Sequence, residues 1–145
     1  MDHKRYDLNE GVIPFPDTWE DQSINVFVAP DTTHGASLTI TRDTRVYGED
    51  EDAYLKRQLK ELAKSLKNFS LVKEHEFEMA GQTAKAVEVR WRNEGDVHVQ
   101  LISFKFLDDK IIIFTGSSTG VMTEVARKHF IGIMKRFTPR EQLDV

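Results

Sequence analysis

Residues 97–107 (VHVQLISFKFL) put apolar side chains on both faces of an extended segment, since successive side chains of a strand point to opposite sides. Ile102, Phe104 and Phe106 fall on one face, and Val97, Val99 and Leu101 on the other. Such a strand needs cover on each side. Strand-like stretches at 69–79, 83–91 and 110–115 surround it, joined by turn-like pieces at 80–82, 93–96 and 108–109, and this spacing predicts an antiparallel meander. Upstream, 24–28 (INVFV) and 37–41 (SLTIT) read as strands on either side of a turn-rich 30–35. Short extended pieces at 6–8 and 12–15, interrupted by Pro14 and Pro16, read as edge pieces because proline cannot donate to a ladder.

Two segments carry helical periodicity. Leu55, Leu59, Leu62 and Leu66 recur along 52–66 behind the acidic run Glu49 to Asp52, placed where carboxylates favour a helix start. Met122, Ala126, Phe130, Ile133 and Phe137 form a stripe over 122–137 before Pro139. The pattern predicts a single α+β domain over 1–145, with a largely antiparallel sheet and both long helices packed on one face. With Phe27, Leu38 and Ile40 toward the helices, Ile24, Val26, Val28, Ser37, Thr39 and Thr41 share the opposite face, and the sequence expectation adds Val99 and Leu101 to them. Large apolar patches are rarely left in water, so this outer face calls for a partner, a ligand, or cover by the first 20 residues. These eight residues are the candidate partner-binding set. Asp at Val26 or Leu101 is then expected to leave the domain folded, whereas Asp at Phe104 is expected to unfold it.

Composition narrows the function. At 145 residues the chain matches the ~100–200 residues of one domain and needs no metal or disulfide to fold. It has no cysteine, hence no thiol chemistry, which suits a reducing compartment. The first residues lack the apolar core of a secretory signal, and no run approaches the ~18 apolar residues of a membrane span, so a cytoplasmic, non-membrane protein is expected. A net charge of −4 with intermixed signs gives no footprint for nucleic acid.

Candidate chemistry is thin. Gly116-Ser117-Ser118-Thr119-Gly120 fits a nucleophile-elbow pattern between a strand and a helix, but the elbow needs a long parallel sheet and an acid followed by a histidine, and only His129 follows. The hydroxyls read more simply as helix-cap candidates. His3, His34, His75, His98 and His129 are scattered without metal-ligand spacing, and the acidic run lacks the alternating ligands and glycine of a calcium loop. Glu88, Arg90 and Arg92 share a strand face and read as a solvated rim. No catalytic residue, metal ligand or cofactor is predicted.

The phrases Tyr6-Asp7-Leu8-Asn9-Glu10-Gly11 and Phe15-Pro16-Asp17-Thr18-Trp19-Glu20-Asp21-Gln22-Ser23-Ile24-Asn25-Val26-Phe27 resemble the Eag chaperones of bacterial type VI secretion, within the DcrB-like proteins of PsbP-like α/β fold. The Leu-rich helix and the terminal helix after Gly116 to Gly120 are similar too, so the resemblance covers nearly the whole chain. It implies a non-catalytic cytoplasmic homodimer that binds the apolar N-terminal transmembrane segments of a secreted effector and aids its loading onto the VgrG spike protein. The residue pattern alone also admits a small-molecule or lipid-binding domain using the same apolar groove. Mixed aliphatic and hydroxyl side chains on the outer face suit an apolar helix that carries small or polar residues.

Overall fold

Two tight hairpin turns organise the second half of the chain. Ala80-Gly81 and Glu94-Gly95 both have positive φ at each central residue, the twist that joins antiparallel strands without splaying them. They connect β5 (Ser70–Met79), β6 (Gln82–Asn93) and β7 (Asp96–Phe106), and β8 (Lys110–Thr119) returns alongside β7. The first half supplies β1 (His3–Asp7), β2 (Val12–Pro16), β3 (Asn25–Val28), β4 (Ser37–Thr44) and helix α1 (Glu51–Ser65), and α2 (Glu124–Lys135) follows β8. This computed structural model describes residues 2–30, 35–108 and 110–140. His34, most of the 30–35 turn, Asp109 and the 141–145 tail lie outside the described residues.

Six strands make one antiparallel sheet in the order β3-β4-β8-β7-β6-β5, while β1 and β2 pair only with each other. The α+β architecture with a largely antiparallel sheet is therefore as the pattern predicts. The helices, however, do not share a face. Tyr54 of α1 stacks its ring edge-on to Phe104 and Phe106, and Asp52 reaches Lys85, all on one side of the sheet. Phe130 of α2 lies against Gly116, Phe137 meets Phe114, and Arg127 grips Glu88, on the other side. The two-sided apolar strand explains this: β7 is sandwiched between the helices and has one covered by each. A symmetric apolar pattern does not reveal how the covers are shared out, which is why the expected one-face packing fails.

The α2 side holds the main core, with Leu38, Phe77, Met79, Leu101, Phe114, Phe130 and Met134 in one buried cluster. Gly116 belongs to it by having no side chain, since a Cβ there would meet the Phe130 ring at 2.5 Å. α1 is started by its acidic run: the Asp50 side chain accepts from the Ala53 amide, Glu51 and Asp52 occupy the first turn, and Glu49 pairs with Arg57 at 2.7 Å. The phenol of Tyr54 is buried and donates to Asp43 at 2.9 Å, and burial raises its pKa above the ordinary tyrosine value.

Glu88 is not part of a solvated rim. It is buried on the α2 side, accepts from Arg127 Nε and Nη2 at 2.6 and 3.1 Å, and has His75 at 3.4 Å, whereas Arg90 and Arg92 stay exposed. Hydrogen bonds from Arg127 hold the Glu88 carboxyl below its usual range, against the opposing pull of burial. A carboxylate whose folded pKa is depressed contributes stability that is present above its unfolded value, about pH 4.3, and is lost as pH falls through the lower folded value. Glu88→Gln should therefore cost about 3 kcal/mol at pH 7, where it leaves Arg127 facing a neutral partner in a dry site. Urea melts at pH 5 and pH 3 check this: the native chain should lose more stability over that interval than the variant, and parallel losses would mean that the pair contributes nothing.

Candidate functional site

Burial on the α1 side falls off steadily across the sheet. On β6, Val87 and Val89 are closed to solvent at 2% and 0% exposure. On β7, β8 and β4, the residues sharing that side, such as Ile102, Thr115, Thr39 and Thr41, are only half-buried. At the β3 edge Val26 is 60% exposed. The rows run straight across the strands: Val26 opposite Thr39, Thr39 opposite Thr115, Thr115 opposite Ile102, with Val28, Ser37, Ser117 and Gln100 in the next row.

Helix α1 stands on the same side of the sheet, over Phe104, Phe106 and Lys85. Only Tyr54 of that helix is fully buried, and Leu55, Leu59, Leu62 and Leu66 are each half-exposed. Beyond α1 the same face of β8, β4 and β3 stays partly open, half-buried at Thr115, Thr39 and Thr41 and exposed at Val26 and Val28, and this open strip is called the trough below. Strands lie ~4.8 Å apart, so three of them put about 10 Å between their outer axes, the scale of one α-helix with its side chains, ~10–12 Å. Polar groups also border the floor on its β7 side. Gln100 accepts from the Trp91 indole at 3.2 Å and donates to Ser117 at 3.3 Å, while His98 stacks on Trp91 with ring centroids 4.2 Å apart.

Six of the eight expected residues are brought together here. Val26, Val28, Ser37, Thr39 and Thr41 share the trough floor, and Ile24 lies just before β3, exposed. Val99 and Leu101 do not join them. They face α2, Leu101 opposite Gly116 and Val99 opposite Ser118, and are buried at 0% and 6% exposure. Assigning β7 the wrong way round reverses its whole set of side chains, because the pleat has a period of two. The residues of β7 on that side of the sheet are Gln100 and Ile102, bordering the floor, with Phe104 beneath the start of α1. Leu38 and Ile40 on the α2 side were the available signal: Leu38 pairs through Gly116 with Leu101.

The elbow-like segment is strand. Gly116 to Thr119 complete β8, Ser118 is buried toward α2, and the α2 cap is Thr123, whose hydroxyl accepts from the Ala126 amide. The Ser118 hydroxyl has no hydrogen-bond partner among the described residues. His75 contacts Glu88, His98 stacks on Trp91, and His3 and His129 are exposed, so the described histidines converge on no common point.

The sequence model of the DcrB family matches residues 10–136. The Pseudomonas aeruginosa protein described as "Effector EagT6" is 35% identical over 92 residues, which are 62% of this chain and 64% of that relative's length. Among solved structures, a crystal structure of the Pseudomonas aeruginosa protein PA94, of unknown function, superposes with a TM-score of 0.78 at 28% identity, covering 95% of this chain and 97% of that one. The solution structure of cyanobacterial PsbP from Synechocystis superposes with a TM-score of 0.51 at 11% identity over 90% of this chain and 88% of that one, a likeness of fold alone.

The observed facing reverses the expectation for Leu101. Leu101→Asp should unfold the domain, since an unpaired carboxylate in that packed core costs several kcal/mol. Val26→Asp keeps its charge in water and should melt within a few degrees of the native chain. Circular dichroism melts compare them directly, and a cooperative, native-like melt for Leu101→Asp would contradict the register.

Proposed function

The chain belongs to the DcrB family, and from that premise, with the open trough as support, we propose that it is a non-catalytic chaperone that shelters an apolar helical segment of a type VI secretion effector. The observation that carries the reading is the match between a floor three strands wide, on the side of the sheet where α1 keeps its leucines half-exposed, and a single helix. The similarity to "Effector EagT6" and the sequence resemblance to Eag chaperones point the same way. An apolar segment leaving water for this surface gains roughly 25 cal/mol per Å² buried. The hydroxyls of Ser37, Thr39, Thr41, Thr115 and Ser117 and the Gln100 amide give that segment's polar or small residues something to bond.

In this reading the client is an N-terminal transmembrane segment held in the cytoplasm until secretion, the chaperone acts as a homodimer, and the loaded effector is delivered to VgrG. Val26, Val28, Ser37, Thr39 and Thr41 line the binding surface together with Ile24, Ile102 and Leu62. No helix among the described residues is long and apolar enough to cross a membrane, and the trough supplies the apolar surface that the client would otherwise find in lipid.

Co-purification from the native host followed by mass spectrometry should return an effector with apolar N-terminal segments. With a peptide of that segment, Val26→Asp and Leu62→Asp should each weaken binding at least ~100-fold, about 3 kcal/mol, because the client buries the new charge. An extractable lipid with no protein partner would replace this reading with a lipid-binding one, and unchanged affinity in both variants would remove the trough from it.

A further inference from the structure

The β1–β2 hairpin and the segment that follows it wall an open cavity of about 500 Å³, within the ~300–1,000 Å³ of sites that hold small organic groups. Residues paired across a ladder share a face, so Lys4, Phe15, Tyr6 and Ile13 stand on one side of the hairpin, and Leu8 follows them by alternation. The chain then doubles back. The Trp19 amide donates to the Pro16 carbonyl at 3.0 Å, and this turn brings the Trp19 ring against Phe15, with centroids 5.6 Å apart and planes tilted by 33°. Tyr6 meets the same Phe15 ring edge-on at 6.3 Å.

These rings do not close into a core of their own. Trp19 is 61% exposed and Tyr6 and Phe15 are only half-buried, so ring surface remains open to the cavity. The rim of the cavity is polar and held in place. Tyr6 and Ser23 join their hydroxyls at 2.8 Å, and Asp21 accepts from the Ser23 amide at 2.9 Å and from the Ser23 hydroxyl. Glu20 lines the rim beside Asp21 and has neither a hydrogen bond nor an ion pair among the described residues. Lys4 lines it too, and forms no ion pair with either carboxylate among the described residues.

The sign of this site decides its ligand. The face of an aromatic ring attracts a cation, and the flat guanidinium of arginine also stacks on it. Two carboxylates against one ammonium add to that preference, whereas an anion would meet both the carboxylates and the ring faces. The cavity also lies next to the trough. From Ser23 on its rim the chain runs through exposed Ile24 to Val26 on the floor, three residues or about 10 Å of extended chain. Apolar segments that cross membranes carry lysine and arginine close to their ends.

We infer that this cavity is a cation site that takes the arginine or lysine flanking a client's apolar segment, the base resting among Tyr6, Phe15 and Trp19 with Glu20 at the mouth. Its location beside the floor makes the flanking base part of what the chain selects, and that part rests on the trough reading. The cation site itself does not.

The chain has two tryptophans, so the indole N–H signals in a nitrogen–proton NMR spectrum separate the cavity from the rest, with Trp91 as the internal control. Titration with N-acetyl-arginine amide should move the Trp19 signal and leave that of Trp91 in place. N-acetyl-citrulline amide, nearly the same shape without the charge, should bind ~10-fold more weakly. Glu20→Gln should weaken the arginine probe and Lys4→Gln strengthen it, by about threefold each, since both groups are exposed. A Trp19 signal that does not move, citrulline binding as well as arginine, or two substitutions without effect would overturn the cation site. These probes need no trough, so their failure is separate from failure of the chaperone reading. For the flanking role, a soluble Leu/Ala helix peptide with arginine at its end should bind the native chain ~10-fold more tightly than its citrulline twin, and the Glu20→Gln/Trp19→Leu variant should bind the two alike. Equal binding of both peptides to the native chain would overturn that role.

Discussion

A sheet of six strands is roughly 24 Å between its outer strand axes, and a helix with its side chains covers ~10–12 Å of that. One helix on each face therefore leaves much of the sheet to be covered by other means. On the α2 side large side chains fill in: Phe77 and Met79 from β5, Leu38 from β4 and Phe114 from β8 close the core around Phe130 and Met134. On the α1 side they do not. Past Phe104 and Phe106 on β7 and Ile111 and Ile113 on β8 the sheet carries threonine, serine and valine toward an open edge, and α1 keeps its leucines half in solvent. The trough is what remains when one face of a wide sheet is given a single helix and small residues.

The two helices are fastened differently. α2 is tied down by a buried ion pair to Glu88 as well as by its apolar stripe, and Gly116 lets Phe130 approach the sheet backbone. α1 is fastened mainly at its first turns, through the Tyr54 ring between Phe104, Phe106 and Arg57 and the phenol on Asp43. The polar anchor sits at the first turns of the helix, beside Leu55 and away from Leu62 and Leu66.

Much of this could be read from the sequence, for identifiable reasons. The hairpin turns were legible because Ala80-Gly81 and Glu94-Gly95 sit between alternating strands, and the first helix because its leucines and acidic start agree. On β3 and β4 one face is plainly larger and more apolar, so Val26, Thr39 and Thr41 were placed correctly with respect to Leu38 and Ile40. β7 offered no such asymmetry: Val99 and Leu101 are as apolar as Ile102 and Phe104, and only partner strands decide which pair faces which helix. The Glu88–Arg127 pair was beyond reach because its partners are 39 residues apart and nothing local marks either as buried. The hydroxyls of the G-x-S-x-G pattern lie in strand instead of at the helix cap expected of them, and its first glycine admits an aromatic ring.

The central claim is that the α1-side trough holds an apolar helix, and a photo-crosslinking side chain placed at Thr39 tests it most directly. In the native host, the adduct at Thr39 should map by mass spectrometry to an apolar N-terminal segment of a type VI effector, while the same group at exposed Lys73 on β5 should not yield it. Adducts at Thr39 confined to lipid or to polar peptides, or an effector adduct equally strong at Lys73, would contradict the account.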